Sequence, residues 1–281
     1  MTDVTLCLGG ISGPLLVFGG PYSNLQALQA MREEAERLFI PPENCICTGD
    51  IVAYCAQAKA SVDFIRDWGI LCLMGNCEES FARSAADCGC GFEAGTSCDL
   101  LSTQWFQFAN QQLEPVHREW FASLPRSIQF DFNGISAQVV HGSVSSINQF
   151  IFSSTDQRIF RSEFALSHAS LIIGGHCGLP FTKVIDKKTW HNSGAIGMPA
   201  NDGTTRTWFS VLRIEDEKLR IDTRPLVYDY QQSFTQMQIA DMENSYAEAL
   251  LSGLWPSMDV LPEKEKKQRG KALKNQHFLI K

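Results

Sequence analysis

The sequence predicts an α/β fold built around a parallel sheet, and three observations carry the prediction. A short apolar run, a polar loop and an amphipathic stretch follow one another three times between Leu15 and Ala85. Each apolar run ends on a glycine-containing loop, at Gly19-Gly20, Gly49-Asp50 and Gly75-Asn76. After Pro125 the pattern changes to further apolar runs, opening on a hairpin signal. Alternating strand and helix implies right-handed βαβ crossovers, which gather the loops at the strands' carboxyl ends along one edge.

Each element has a local reason. Leu15 to Phe18 is apolar throughout and stops at Gly19-Gly20-Pro21, as a buried strand entering a tight loop does. A helix is expected from near Asn24. Ser23 and Gln26 have capping-box spacing, and Leu25, Leu28, Met31, Ala35 and Leu38 fall on one helical face. Asn44 to Cys47 is the next strand, ending at Thr48-Gly49-Asp50 and followed by a helix through Ala56 to Trp68. Ile70 to Met74 is the third, ending at Gly75-Asn76 before a short helix near Glu79 to Ala85. Leu100 to Asn110 and Val116 to Leu124 read as helices. Ser127 to Phe132 alternates, Asn133-Gly134 is a turn signal, and Ile135 to Val140 returns to end at His141-Gly142. Leu171 to Ile173 is a strand ending at Gly174-Gly175-His176. Strands around Lys183 to Ile185, Thr205 to Ile214 and Leu219 to Thr223 are expected to complete a second sheet. Gln231 to Leu251 reads as helical, and Glu263 to Lys274 as a charged, mobile or peripheral tail. The expected organisation is a core domain over 1–226 with a helical extension and charged tail, 227–281, packed on it.

Composition narrows the class. With 281 residues the chain can bury one large core, and its net charge of −7 comes without a basic block. Neither nucleic acid nor an anionic membrane surface is indicated as a partner. The apolar start, Val4 to Phe18, is broken by Gly9, Gly10, Gly13 and Pro14 and lacks a basic lead, so neither a signal peptide nor a membrane span is expected. The expected location is cytoplasmic. There, the ten cysteines are expected as thiols. Cys7, Cys45, Cys47 and Cys72 lie in apolar runs, where cysteine acts as a small hydrophobe. Cys88, Cys90 and Cys98 share a glycine-rich loop, with Cys77 upstream. Three readings stand for them: packing thiols, a zinc or iron–sulfur site, or a redox-sensitive pair. The spacing lacks the Cys-x-x-Cys pairs of a zinc ribbon.

Five strand-end loops carry metal-suited groups: Gly19 to Asn24, Gly49-Asp50, Gly75-Asn76-Cys77-Glu78, His141-Gly142 and Gly175-His176-Cys177-Gly178. In this order they resemble the signature of the calcineurin-like metallophosphoesterases, from about Leu15 to Leu226. Trp190 to Pro199 resembles the Asn-Pro-Gly-Ser segment that follows the last ligand loop of that family. The resemblance implies a four-layer α/β/β/α sandwich, two mixed sheets flanked by helices, and two metals bridged by the Gly-Asp carboxylate. Carried over by position, one metal keeps all its ligands: Asp50, Asn76, His141 and His176. The other keeps only Asp50, because Gly20, Tyr22 and Gly178 stand where its Asp and two His ligands would be.

The resemblance therefore implies a hydrolase of phosphomono- or phosphodiesters using a water activated by one divalent Mn, Fe, Zn or Ni ion, with a second ion in doubt. The implied substrate is a phosphorylated small molecule or phosphoprotein. Cys77, standing where many members have a catalytic His, and His191 are candidate proton donors. Tyr22, Glu78, Cys88, Cys90 and Cys98 are candidate additional metal or substrate contacts. The alternatives are a pseudoenzyme or phospho-ligand and metal-binding protein, and, more weakly, a cysteine-based redox or metal sensor. Nothing in the sequence sets the oligomeric state.

Overall fold

The computed structural model describes residues 4–91, 95–242 and 245–280. One six-stranded sheet runs, edge to edge, β12 (Gln276–Ile280), β11 (Lys218–Leu226), β10 (Thr207–Glu215), β2 (Leu15–Phe18), β3 (Cys45–Cys47) and β4 (Leu71–Cys72). The other runs β1 (Thr5–Ile11), β5 (Ser127–Phe132), β6 (Ile135–Val140), β7 (Leu171–Gly174), β9 (Lys188–Asn192) and β8 (Phe181–Ile185). Both are mixed: β2, β3 and β4 are parallel while β10, β11 and β12 run antiparallel to their neighbours.

Strand alternation explains the layers, because successive side chains point to opposite faces. Leu15, Val17 and Ile46 face the other sheet and pack with Ile128, Phe130, Val139, Leu171 and Ile173. Leu16, Phe18, Cys45 and Cys47 face outward, under α1 (Leu25–Arg37) and α2 (Ala58–Trp68), and meet Leu28, Met31, Val62 and Ile65. On the far side, Ile172 and Trp190 are covered by Phe160 and Phe164 of α6 (Gln157–Ala165). Helix, sheet, sheet, helix is the four-layer arrangement expected. Cys45 and Cys47 are buried among apolar side chains, as read from the sequence, whereas Cys7 is exposed on β1.

Several expectations are corrected. The cap of α1 is Asn24, whose side chain accepts from the Ala27 N–H at 3.1 Å. Ser23 instead accepts from the Ala53 N–H, since its φ of +58° turns it away from the helix start. β10 and β11 do not extend the second sheet; β10 pairs with β2, placing Ser210 opposite Val17. β1 and α6 were not anticipated. The helical stretch near 231–251 is two helices, α7 (Tyr230–Ile239) and α8 (Ser245–Ser252), with residues 243 and 244 outside the described ones. The charged tail is tied down. The Gly270 N–H donates to the Asn201 carbonyl and the Leu273 N–H to the Asp202 carboxylate, after which the chain forms β12. Among the described residues, no helix is long and apolar enough to cross a membrane.

Candidate metal centre

The site begins where β3 and β4 end. Gly49 has φ +97°, and a Cβ there would lie 2.7 Å from the Gly75 nitrogen and 2.9 Å from His141 Nδ1. A Cβ on Gly75 would lie 2.3 Å from Asp50 Oδ1. The absence of side chains at these two positions lets three loops approach within hydrogen-bond reach. Asp50 itself has φ +54°, a conformation costly for a residue with a side chain. Glu78 offsets that cost. Its carboxylate accepts the N–H groups of Asp50 (2.8 Å), Ile51 (2.8 Å), Val52 (3.2 Å) and Gly75 (2.9 Å). The short helix α3 (Asn76–Ala82) starts at the same point, and its Cys77 N–H donates to Asp50 Oδ1 at 3.2 Å.

His141 sits at the end of β6. Its Nδ1 is 2.7 Å from the Thr48 carbonyl, which can only accept, so Nδ1 carries the proton. Nε2 then faces Asn76 Oδ1 at 3.1 Å, His176 Nδ1 at 3.0 Å and Asp50 Oδ2 at 3.2 Å. Asn76 is held with its oxygen inward, because its Nδ2 donates to the Cys88 carbonyl at 2.9 Å and lies 3.3 Å from Cys90 Sγ. His176 Nδ1 is 3.9 Å from Asp50 Oδ2, and Phe150 covers the His176 ring at 4.1 Å.

Four electron-pair donors thus converge in a buried space. Among the described residues, Asp50, His141 and His176 are the one trio of metal-ligating side chains whose donor atoms lie within 4.8 Å of one another. Ligand atoms about 2.0–2.1 Å from a tetrahedral ion stand roughly 3.4 Å apart. The observed separations of 3.0–3.9 Å bracket that value. Two imidazoles, a carboxylate and an amide oxygen suit a borderline divalent ion, and a cation relieves the repulsion among the lone pairs. Burial opposes the ionisation of Asp50, but the neighbouring His141 and His176 imidazoles hold its carboxyl well below the ordinary range. Burial lowers the affinity of His141 for a second proton, and the Asp50 charge outweighs it, raising His141. His176 is lowered, by burial first.

The other half of the edge is filled differently. A Cβ on Gly20 would lie 2.2 Å from Tyr22 Cζ, so the tyrosine ring occupies the space a side chain at position 20 would take. The Tyr22 hydroxyl lies 3.4 Å from where a Cβ on Gly178 would stand. The three departures from the two-metal pattern therefore touch one another. Burial, then the Asp50 charge, pushes the Tyr22 hydroxyl well above the usual phenol range, so it stays neutral.

The remaining candidates separate. Glu78 spends both oxygens on backbone N–H groups and holds the Asp50 loop, so the structure gives it a positioning role instead of a metal contact. The Cys77 thiol is buried and pushed up by burial and then by the charges of Asp50 and Glu78, and so keeps its proton. His191 is fully buried within β9, its Nδ1 3.0 Å from Thr182 Oγ1, and burial lowers it to about 3. An imidazole so lowered is neutral near pH 7, which does not favour the expected role as a proton donor. Cys88 and Cys90 are disulfide-bonded to each other, brought together by the left-handed turn at Gly89, φ +64°. Cys98 has other neighbours, Ser257 and Asp259. The thiols of the loop therefore do not form one four-sulfur cluster; its residues 92–94 lie outside the described ones. The clamp by Glu78 and the cover by Phe150 had no sequence signal beyond the proximity of Glu78 to Asn76.

Among the solved structures that match, two cover most of the chain. A metallophosphoesterase from Sphaerobacter thermophilus is 20% identical with a TM-score of 0.66, covering 87% of this chain and 100% of its own. A hypothetical protein from Pyrococcus horikoshii is 15% identical with a TM-score of 0.72, covering 86% of this chain and 99% of its own. The chain has the calcineurin-like metallophosphoesterase fold. By sequence it is 22% identical over 228 residues to an uncharacterized protein of Methanocaldococcus jannaschii, 75% of this chain and 87% of that one. No family model matches it. Within the metallophosphoesterase fold, the four donors sit where the carboxyl ends of β3, β4, β6 and β7 meet, the edge at which open α/β sheets bind ligands.

Proposed function

We propose that this protein is a phosphoesterase working with a single divalent ion, acting on phosphomono- or phosphodiesters. One observation carries the reading. His141 gives its Nδ1 proton to Thr48 and directs Nε2, a metal-ligating atom once deprotonated, toward three other donors at 3.0–3.2 Å. Asp50, Asn76, His141 and His176 would hold the ion, with Mn, Fe, Zn and Ni the suitable class. When bound, such an ion polarises a phosphoryl oxygen and makes a water acidic enough to attack near neutral pH.

The chain's own groups do the rest. Asp50 supplies the negative charge, fixed by Glu78 and the Cys77 N–H. Asn76 supplies a neutral oxygen whose direction the Cys88 carbonyl sets. Cys77 and Tyr22 are protonated groups beside Asp50 and are the candidate donors to a leaving group. Without ligands at positions 20, 22 and 178 there is no two-ion clamp on the phosphate, so activated esters should be favoured over alkyl esters.

The test is metal analysis of chelator-free protein together with hydrolysis of p-nitrophenyl phosphate and bis-p-nitrophenyl phosphate under Mn²⁺, Ni²⁺, Zn²⁺ and Fe²⁺. One ion per chain is expected, and Asp50→Ala should lose both the ion and at least about 100-fold in rate, on the scale of losing a principal charge-stabilising group. Turnover no higher than that of Asp50→Ala sinks the enzyme reading. The filled space at Gly20 and Tyr22 favours one second reading, a protein that holds an ion and a phosphorylated ligand without turnover. One bound ion and tight phosphate binding with no hydrolysis would support it.

A further inference from the structure

A cavity lies beside the missing ligands. It encloses about 70 Å³ beside His176, and its walls are Tyr22, Tyr54, Tyr246, Phe150, Met198 and Trp255. Gly178 also faces it, so two of the three departures from the two-metal pattern line this one space. The walls are braced. Tyr54 stacks on Tyr246 at 4.5 Å and meets Tyr22 edge-on at 4.7 Å. The Trp255 indole N–H donates to the Pro199 carbonyl at 2.6 Å, which fixes that ring. The Tyr22 hydroxyl, by contrast, makes no hydrogen bond with any described residue, while its ring fills the space above Gly20.

Aromatic faces and a thioether make a poor home for a phosphate, because a buried charge needs a paired and hydrogen-bonded partner. They make a good one for a flat apolar ring, which gains from edge-to-face and sulfur contacts. The neighbouring donor group offers the opposite chemistry. His176 belongs to both, lining the cavity while its Nδ1 faces His141 and Asp50. A single molecule with a phosphate at one end and a ring at the other would satisfy both compartments.

We propose that the cavity is a subsite for one planar aromatic ring carried by the phosphoester, the phosphate lying at Asp50, Asn76, His141 and His176. This rests on the metal-centre reading above. The volume limits the ring. At about 70 Å³ the cavity has about half the space of the ~150 Å³ cavity known to take benzene, so it receives only the leading edge of a single ring, the rest lying at its open side, and it has no room for a fused pair. In this arrangement the free Tyr22 hydroxyl donates to the ester oxygen that joins ring and phosphate. The space beside the altered ligand positions thereby becomes a site for choosing substrates.

The experiment is calorimetric titration of the metal-loaded protein with non-hydrolysable phenylphosphonate, methylphosphonate and 1-naphthylphosphonate, and with inorganic phosphate. Phenylphosphonate should bind at least tenfold more tightly than methylphosphonate, with naphthylphosphonate weaker than phenyl. It should also quench tryptophan fluorescence, and Trp255→Phe should remove that quench. Met198→Trp, which fills the cavity, should bring the phenyl-to-methyl ratio close to one. Trp255→Ala, at a half-buried position, should lower the same ratio independently. Equal binding of phenyl and methyl compounds, with ester turnover intact, overturns the ring subsite alone. A phenyl preference unchanged in both variants also overturns it. Failure of every phosphonate and of inorganic phosphate to bind overturns the metal-centre reading and the subsite together.

Discussion

Four N–H groups from two loops meet the carboxylate of Glu78, and three of them belong to consecutive residues beginning at Asp50. That contact is what keeps Asp50 in its left-handed conformation with its own oxygens aimed at the imidazoles. A glutamine at 78 offers one acceptor oxygen and turns an NH₂ group toward backbone donors. Burial and then the Asp50 charge raise the Glu78 carboxyl to about 7, and above that pH hydrogen bonds to the charged acceptor contribute about 1.5–3 kcal/mol each. Glu78→Gln should therefore lose several kcal/mol in denaturant unfolding and bind less than one ion per chain. Full metal content with unchanged stability would show that the carboxylate is dispensable. Residue by residue, the four donors could be read from the sequence because their types recur at strand ends. Glu78 could not be read in this role, because three of its four partners lie 26–28 residues away and meet it only after Asp50 adopts a positive φ.

Among the elements, β9 carries a group that reports on its own burial. His191 is enclosed and titrates at about 3, whereas in an unfolded chain it titrates near ~6.5. Between those values the unfolded state binds a proton that the native state does not. Stability supplied by neutral His191 is thus complete above about pH 6.5 and falls as the pH drops, by up to about 1.4 kcal/mol per pH unit. His191→Gln should flatten this slope in thermal denaturation between pH 4 and 6.5, whatever it does to stability at pH 8; an unaltered slope would remove His191 as its source. The βα units were legible because each has its own apolar run and its own turn. β1 was not, since Gly9, Gly10, Gly13 and Pro14 break its pattern, and its partner β5 begins more than a hundred residues later. The α1 cap was misplaced by one residue because Ser23 and Asn24 are both good caps, and only the path of the loop decides between them.

For the whole molecule, the edge of the first sheet depends on a charge cluster. Asp222 on β11 is buried and faces His277 on β12 at 2.7 Å, with Arg220 at 2.9–3.0 Å and Arg224 at 3.4 Å. Burial opposes its ionisation, but His277 and Arg220 hold it below the usual carboxylate range. A depressed carboxylate stabilises the fold fully above its unfolded value, near ~3.9, and that stabilisation is lost as the pH falls through the lower native value. Acid should therefore free β12 early, exposing the β11 edge. Amide exchange should show β12 opening first below pH 4, and Asp222→Asn should open it at neutral pH. Equal protection of β12 in both proteins would count against the cluster as the fastening. None of this was readable locally. The tail looked charged and peripheral, and the pairing of β10 with β2 joins segments nearly two hundred residues apart.

Tyr22 over Gly20 also constrains the routes by which this chain could have changed. Aspartate at 20 alone drives its Cβ into the tyrosine ring, and histidine at 22 alone empties the space without supplying a second ligand. Neither single substitution supplies both side chains in workable positions, so the two residues are coupled through one filled space. Gly20→Asp and Tyr22→His should each lower stability, and the double variant should recover at least about 1 kcal/mol relative to their sum, as close-packed neighbours do. Simple additivity would mean the two positions are not coupled through that space.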